Sequence, residues 1–577
     1  MAQASTPTTP APSLKALTAT LLESEAKIRL GGGQTAIDRQ HDKGRLTARE
    51  RIELIVDPVS TTLGLQNFQE LGLWAANDMY KEYGGAPAAG VVTGIGLVYG
   101  RRCMIIANDA TVKAGAFFPM TCKKIIRAQQ IAMSARMPLI YLVDSAGVFL
   151  PLQEDVFPDT DDFGRIFRHN AVISAMGIPQ IAAIMGYCVA GGGYLPVLCD
   201  TLIMTEGSGL YLAGPALVKA AIGQEVSDEE LGGAPMHAGI SGTIDFKEKT
   251  DQDAIARVRS LISKYGPSMP GCLPASMPST SQPFHAGDKM YDIFTDKSGA
   301  QYDVRGIIDS LVDATVAMTP TPHERATEHL APDFDEYKAD YGQSIVCGYA
   351  KIGGHACGIV ANQKKLVMRS MPGGKAGPTK AVQMPAVIYD DSADKSARFI
   401  MDCNQRKIPI IFIHDTTGFM VGRDSEQGGI IKAGAKMVNA MANCVVPKIV
   451  VITGGSYGAG NYAMCGRAFD QFLALAWPSA KCAVMGANQA TGVLVQIEEA
   501  SRKRKGEAID AEAHRKIYGA IHAAYTEQAA ITHAASRGWL DRLIEPHRTR
   551  EELIGALEAA NQGWDYSREF KTGVLQV

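Results

Sequence analysis

With 577 residues, the chain is too long for one hydrophobic core, and two large domains are expected. Its 46% hydrophobic and 20% charged residues are ordinary for a soluble globular enzyme, and a formal net charge of -3 gives no electrostatic reason to bind nucleic acid. The 11 cysteines contain no C-x-x-C pair, so neither a disulfide framework nor a metal site is expected, and a reducing, cytoplasmic setting fits best.

The chain starts MAQASTPTTPAPSLKALTATLLE, without the apolar core of a signal peptide or the arginines of a transit peptide. Residues 1–27 therefore read as a disordered tail, and no apolar run approaches the roughly 18 residues of a membrane span. Residues 28–270 follow as an N-terminal domain. "GCLPASMPSTSQPFHAGDK", Gly271 to Lys289, is rich in Pro and Ser and reads as the linker to a C-terminal domain over residues 290–577.

The two domains repeat each other. "MPLIYLVDSAGVFL" from Met137 matches "IPIIFIHDTTGFMV" from Ile408, each a short buried strand running into a polar turn. "IPQIAAIMGYCVAGGGY" from Ile178 matches "VPKIVVITGGSYGAGNY" from Val446, with Gly186 and Gly454, and Tyr194 and Tyr462, at equal spacing. "LYLAGPALV" pairs with "CAVMGANQA", and "SGTID" with "RGWLD". The repeat implies two copies of one α/β unit built from parallel strands and crossover helices.

Gly454 to Gly458 also fits G-x-S-x-G, the nucleophile elbow of serine hydrolases. The repeat puts Cys188 opposite Ser456, so no nucleophile is shared, whereas the doublets Gly191-Gly192 and Ala459-Gly460 coincide. What recurs is a turn of tiny residues opening a helix, where unpaired N–H groups and the positive dipole end suit an oxyanion. Close packing of backbone is the alternative reading of such a turn.

Other motifs carry less. Gly455 to Gly460 has P-loop spacing, but Asn461 replaces the phosphate-binding lysine. Lys436 in "GAKM" reads as helix surface rather than a biotinylated lysine. His414 and Asp415, adjacent at a strand end, point apart, and His414 reads as a packing or orienting group.

"MIIANDATVKAGAFFPMTCKKIIRAQQIA", "YLVDSAGVFLPLQEDVFPD", "YLAGPALVKAA", "TGFMVG" and "GGSYGAGNYAMCGRAFD" occur in family order and resemble the carboxyltransferase subunits of biotin-dependent acyl-CoA carboxylases, of the methylcrotonyl-CoA and geranyl-CoA type. The resemblance spans roughly residues 28 to 570. It implies an α/β fold of two tandem crotonase-like (ClpP/crotonase superfamily) domains related by internal duplication, the first binding acyl-CoA and the second carboxybiotin. It implies biotin carried by a partner biotin carboxylase/biotin carboxyl carrier subunit, coenzyme A as part of the substrate, and a hexamer built as a trimer of dimers. The thioester enolate oxygen is then assigned to the N–H groups of Gly191 and Gly192, and the biotin ureido oxygen to those of Ala459 and Gly460.

Coenzyme A phosphates need local cations in a chain of negative net charge. Lys113, Lys123, Lys124 and Arg127 are the candidates, Lys123 and Arg127 sharing one helix face, although a solvated helix face explains the same charges. Phe149, Phe419 and Met420 are candidates for an acyl pocket, with core packing as the competing role.

The sequence also departs from the family. Lys364 to Lys395 is a long segment where methylcrotonyl-type subunits have a short turn, and Phe246 follows Asp245 where His is expected. A comparably long segment, and "HDTTG", point towards the subunit of a glutaconyl-CoA-type decarboxylase. A biotin-independent hydratase or isomerase, and a serine hydrolase using His514 or His533, complete the alternatives.

Overall fold

The structure is a computed structural model and describes residues 13–58, 67–157, 159–264, 282–295, 300–319, 327–371, 379–504 and 510–574. Two sheets of eight strands each repeat one topology. In the N-terminal half the path runs Phe68–Leu71, Val91–Val98, Arg101–Asn108, Leu139–Ser145, Gln180–Val189, Thr201–Thr205 and Phe246–Glu248, with Gly209–Tyr211 pairing off Gln180–Val189. The C-terminal half repeats it as Phe334–Tyr337, Ile345–Ile352, His355–Asn362, Ile410–Thr416, Lys448–Tyr457, Leu473–Ala476 and Arg542–Leu543, with Lys481–Ala483 in the off-path place.

The expectation of parallel pairing holds for the strands that carry the sequence echoes. The first three strands of each sheet are antiparallel. Between the second and third strands the cause is a two-residue turn in each half, Tyr99-Gly100 and Gly353-Gly354, all four residues with positive φ. That backbone matches the twist of two strands folding directly back on each other.

Registers superpose the halves residue by residue. Ser145 faces Cys188 as Thr416 faces Ser456, and both pairings resume after an irregularity at the same place. The Asp245 N–H donates to the Leu202 carbonyl as the Asp541 N–H does to that of Ala474, and each carboxylate in turn accepts the N–H of that partner. An echo too sparse to read in the sequence joins them: Lys124 and Lys395, at equivalent positions of the helices Pro119–Ala135 and Asp390–Arg406, are both buried. Lys124 donates to the carbonyl of Val91 at 2.5 Å and Lys395 to that of Ile345 at 3.0 Å, the first residues of equivalent strands.

The N-terminal tail is shorter than expected. Residues 14–27 belong to the helix Leu14–Arg29, capped by Ser13, and residues 1–12 lie outside the described residues. Leu14, Thr18, Leu21, Glu25 and Ile28 are buried, a helical stripe that the surrounding Thr, Ala and Pro obscured. Leu21 and Ile28 pack into the core of the C-terminal half and Leu14 into a core shared by both halves. The helix Thr549–Asn561 likewise crosses over, with the Glu558 carboxylate 2.5 Å from Arg102 and the Glu552 carbonyl accepting from Gln69. The linker expected at 271–289 falls outside the described residues up to 281; its remainder carries a 3-10 turn at Gly287–Lys289.

Candidate active site

Each glycine turn is reached through a bulge. In the C-terminal half His414 pairs with Ile452 and Thr416 with Ser456, so Thr453, Gly454 and Gly455 stand opposite Asp415 alone. In the N-terminal half Met185, Gly186 and Tyr187 stand opposite Asp144 in the same way. Such bulges bend a strand and redirect the chain beyond them.

The chain is redirected into the turn. Gly191 and Gly192 lie in the 3-10 turn Ala190–Gly193, leading into Tyr194–Val197. Ala459 and Gly460 lie in the first turn of the helix Gly458–Ala463. The first N–H groups of a helix have no acceptor within it. A Cβ on Gly192 would stand 3.6 Å from the Gly147 Cα, and one on Gly460 only 3.0 Å from the Gly418 Cα, so equivalent glycines back both turns. Close approach therefore accounts for Gly460, and Ala459, exposed, is free of that constraint.

A cavity of about 520 Å³ opens beside the C-terminal turn, lined by Gly458, Ala459, Tyr462, Arg467, Val484 and Trp539 among others. Its size is that of a small-molecule site.

Ser456 is not exposed at an elbow. It lies inside the strand Lys448–Tyr457, fully buried, donating to His414 Nδ1 at 2.9 Å and accepting from Asn461 Nδ2 at 2.8 Å. His414 is also fully buried, and its Nε2 donates to the carbonyl of Met464 at 2.5 Å. Burial pushes its pKa down to about 4, so the ring is neutral at pH 7. His414 is thus the orienting group expected, part of a network tying the helix of the turn to its sheet. His514 pairs instead with Glu499, and His533 packs edge-on against Trp539. Ser456→Ala is expected to keep kcat within about tenfold of wild type and to cost about 1–3 kcal/mol of stability, because a buried ring nitrogen loses its donor. An activated fluorophosphonate should leave Ser456 unlabelled; labelling that tracks loss of activity would restore the hydrolase.

The four cations expected to meet phosphate do not form one surface. Lys124 is buried, held by the carbonyls of Ala88 and Val91, and burial lowers its pKa to about 7. Arg127 binds both carboxylate oxygens of Asp541 and the carbonyls of Gln471 and Phe472 in the other half. Lys123 does share its face, but that face packs on the C-terminal half, where Lys123 donates to the Arg537 carbonyl at 3.2 Å. Lys113, with φ of 47°, and Lys123 remain exposed.

The aromatic candidates are packed. Phe149 stacks on Phe118 at 4.3 Å between ring centroids and meets Tyr83 edge-on. Phe419 packs on the C-terminal core against Gly434, and Met420 is half-buried beside it.

The long segment from Lys364 lengthens one repeated connection. Residues 109–118 join strand to helix in the first half; residues 363–389 do so in the second. The addition pairs Val367–Met371 with Thr379–Gln383 and returns through Val387–Ile388, which is bonded to Gly418–Phe419 at the base of the turn. Residues 390–395 already belong to the repeated helix.

Sequence reading missed Arg51 and Tyr302. Arg51 reaches Asp144 and Asp251, and Tyr302 donates to Asp415 at 2.8 Å. Both come from outside the repeated stretches, so the repeat gave no signal for them.

A family model described as the carboxyl transferase domain matches residues 39–573. The chain is 41% identical over 569 residues to the probable mitochondrial methylcrotonoyl-CoA carboxylase beta chain of Drosophila melanogaster, covering 96% of this chain and 90% of that one. It is 40% identical over 537 residues to the biotin-dependent 3-methylcrotonyl-coenzyme A carboxylase beta1 subunit of Mycobacterium tuberculosis, covering 92% of each. Among solved structures, the beta subunit of P. aeruginosa geranyl-CoA carboxylase superposes with a TM-score of 0.77 at 31% identity, covering 100% of this chain and 99% of that one. Among the described residues, no helix is long and apolar enough to cross a membrane.

Proposed function

The chain belongs to the carboxyl transferase family, the carboxyltransferase subunits of biotin-dependent acyl-CoA carboxylases, and we propose that its two turns divide the reaction between them. The N–H groups of Gly191 and Gly192 hold the thioester oxygen of the acyl-CoA as an enolate develops. Those of Ala459 and Gly460 hold the ureido oxygen of biotin. Biotin, charged and carried by a partner biotin carboxylase and carrier subunit, supplies the carboxyl group. Donors fixed in place before charge develops are worth about 3 kcal/mol at each turn.

The observation that carries this reading is the repetition of the turn without repetition of any side-chain nucleophile: the bulge, the backing glycine and the small-residue doublet recur, while Ser456 is matched by Cys188. The cavity beside Ala459 suits a ring system, being largely apolar in its lining with Arg467 and Asn461 as polar points. Lys113 and Lys123 are the cations left for the phosphates of coenzyme A. Relatives named for methylcrotonyl-CoA and geranyl-CoA support a branched, unsaturated acyl group as substrate.

Large apolar side chains are exposed beside both turns, Tyr194 and Leu212 in one half and Tyr462 and Val484 in the other. Surfaces of that kind mark an interface. They support a site closed between the N-terminal half of one subunit and the C-terminal half of another, within a hexamer built as a trimer of dimers.

The purified chain, given carboxylated free biotin and 3-methylcrotonyl-CoA, is expected to carboxylate the acyl-CoA without consuming ATP. Turnover of acyl-CoA in the strict absence of biotin would overturn the reading in favour of a hydratase or isomerase.

A further inference from the structure

The bulge before each turn is filled by a carboxylate. A Cβ on Gly186 would lie 2.0 Å from Asp144 Cγ, and one on Gly454 would lie 2.5 Å from Asp415 Cγ, so each carboxylate rests directly on the glycine at the centre of its bulge. Both acids are buried, and each turn opens a few residues further along the same strand.

The two carboxylates are held by different partners. Asp415 accepts from Gly455 N–H at 2.9 Å and Lys364 Nζ at 2.8 Å through one oxygen, and from the Tyr302 hydroxyl at 2.8 Å through the other. Its own N–H donates to Asn362 Oδ1 at 3.2 Å. Asp144 lies 3.4 Å from Arg51, whose remaining donors reach the Met185 carbonyl at 3.2 Å and Asp251 at 2.8 Å. Arg51 comes from the helix Ala48–Ile55 and Lys364 from the start of the lengthened connection, so neither cation is a repeat of the other.

We propose that Asp144 and Asp415 are the positioning residues of the two turns, each locking the bulge that aims the N–H donors beyond it. The inference rests on the reading of the turns as oxyanion holes. An unfilled bulge would let the strand relax towards regular pairing, and a rotation of the turn by a fraction of an ångström weakens a fixed donor more than it disturbs the fold. Because the partners differ, the two turns are set independently: Lys364 and Tyr302 act on the C-terminal one alone.

The test is made on the assembled enzyme with its biotin-carrying partner. Asp415→Asn keeps the volume of the side chain but cannot accept from all three donors. It is expected to lower kcat on the order of 10- to 100-fold with KM for acyl-CoA within about twofold, since the acyl-CoA meets the other half. Lys364→Met leaves the Gly455 and Tyr302 bonds in place and should lower kcat on the order of tenfold in the same pattern. The double variant, Asp415→Asn with Lys364→Met, removes an uncompensated charge and should regain the thermal midpoint while kcat stays low. A kcat that recovers together with the midpoint, or single variants of native assembly whose kcat stays within about twofold of wild type, overturns the proposal in favour of a purely structural pair. A wild-type enzyme that transfers no carboxyl group at all would instead sink the reading of the turns on which it rests.

Discussion

Ala459→Pro and Gly192→Pro, each inactive alone, are expected to recover roughly a quarter of the wild-type rate when unfolded together and reassembled as mixed oligomers. Each substitution deletes one N–H donor, and one such donor is worth on the order of 100- to 1,000-fold in kcat. Ala459 lies in the first helical turn, where proline costs no intrahelical bond, so the fold is expected to survive. The recovery comes from where the halves meet. Acyl-CoA and biotin must approach within about 3.5 Å to react, and a site closed between subunits pairs the N-terminal turn of one chain with the C-terminal turn of its neighbour. Half of randomly formed dimers are mixed, and each mixed dimer holds one pairing with both turns intact. Activity of differentially tagged mixed oligomers is the measurement, after circular dichroism and assembly state have matched wild type. Mixed oligomers without activity would locate both turns of a site in one chain.

The parts of the molecule legible in the sequence are those the duplication preserved. Buried strands of four to six apolar residues kept their letters because each packs on two faces, and so the repeat located Asp144, Asp415 and both turns before any geometry was known. Polar partners supplied from outside the repeat left no such trace. Arg51 and Lys364 were free to differ because only the carboxylate sits in the repeated bulge. Lys123 and Arg127 misled for a related reason: helical spacing puts cations on one face but does not say whether that face meets water, a ligand or the other half of the chain. Here it meets the Arg537 carbonyl and Asp541 of the other half. The first helix was obscured by its setting, since it follows directly on the Thr- and Pro-rich residues 1–12 and its buried stripe is only five residues.

Asp541→Asn is expected to lower the unfolding free energy by about 3–5 kcal/mol, whereas Asp245→Asn, its repeat equivalent, should change it by no more than about 1 kcal/mol. Both carboxylates accept the N–H of the neighbouring strand, from Ala474 and Leu202 respectively. There the likeness ends, because Asp245 is exposed and Asp541 is buried between Arg127 of the other half, at 2.8 Å, and Arg467, at 3.1 Å. Burial alone would raise the Asp541 carboxyl, but the two guanidinium groups hold it well below the usual carboxylate range. Asparagine would leave both arginines without their carboxylate in a site that water reaches poorly, which is the costly way to break such a cluster. The depressed folded value sets the sign with pH. The contribution is fully present above the unfolded pKa of about 3.9 and is lost as pH falls through the folded one, so the gap between wild type and Asp541→Asn should narrow only below about pH 4. Urea titrations at fixed protein concentration measure both variants, because assembly itself adds to apparent stability. Equal losses from Asp245→Asn and Asp541→Asn would mean that the strand-end bond, common to both halves, carries the energy and that Arg127, drawn across from the first half, does not bind the two together.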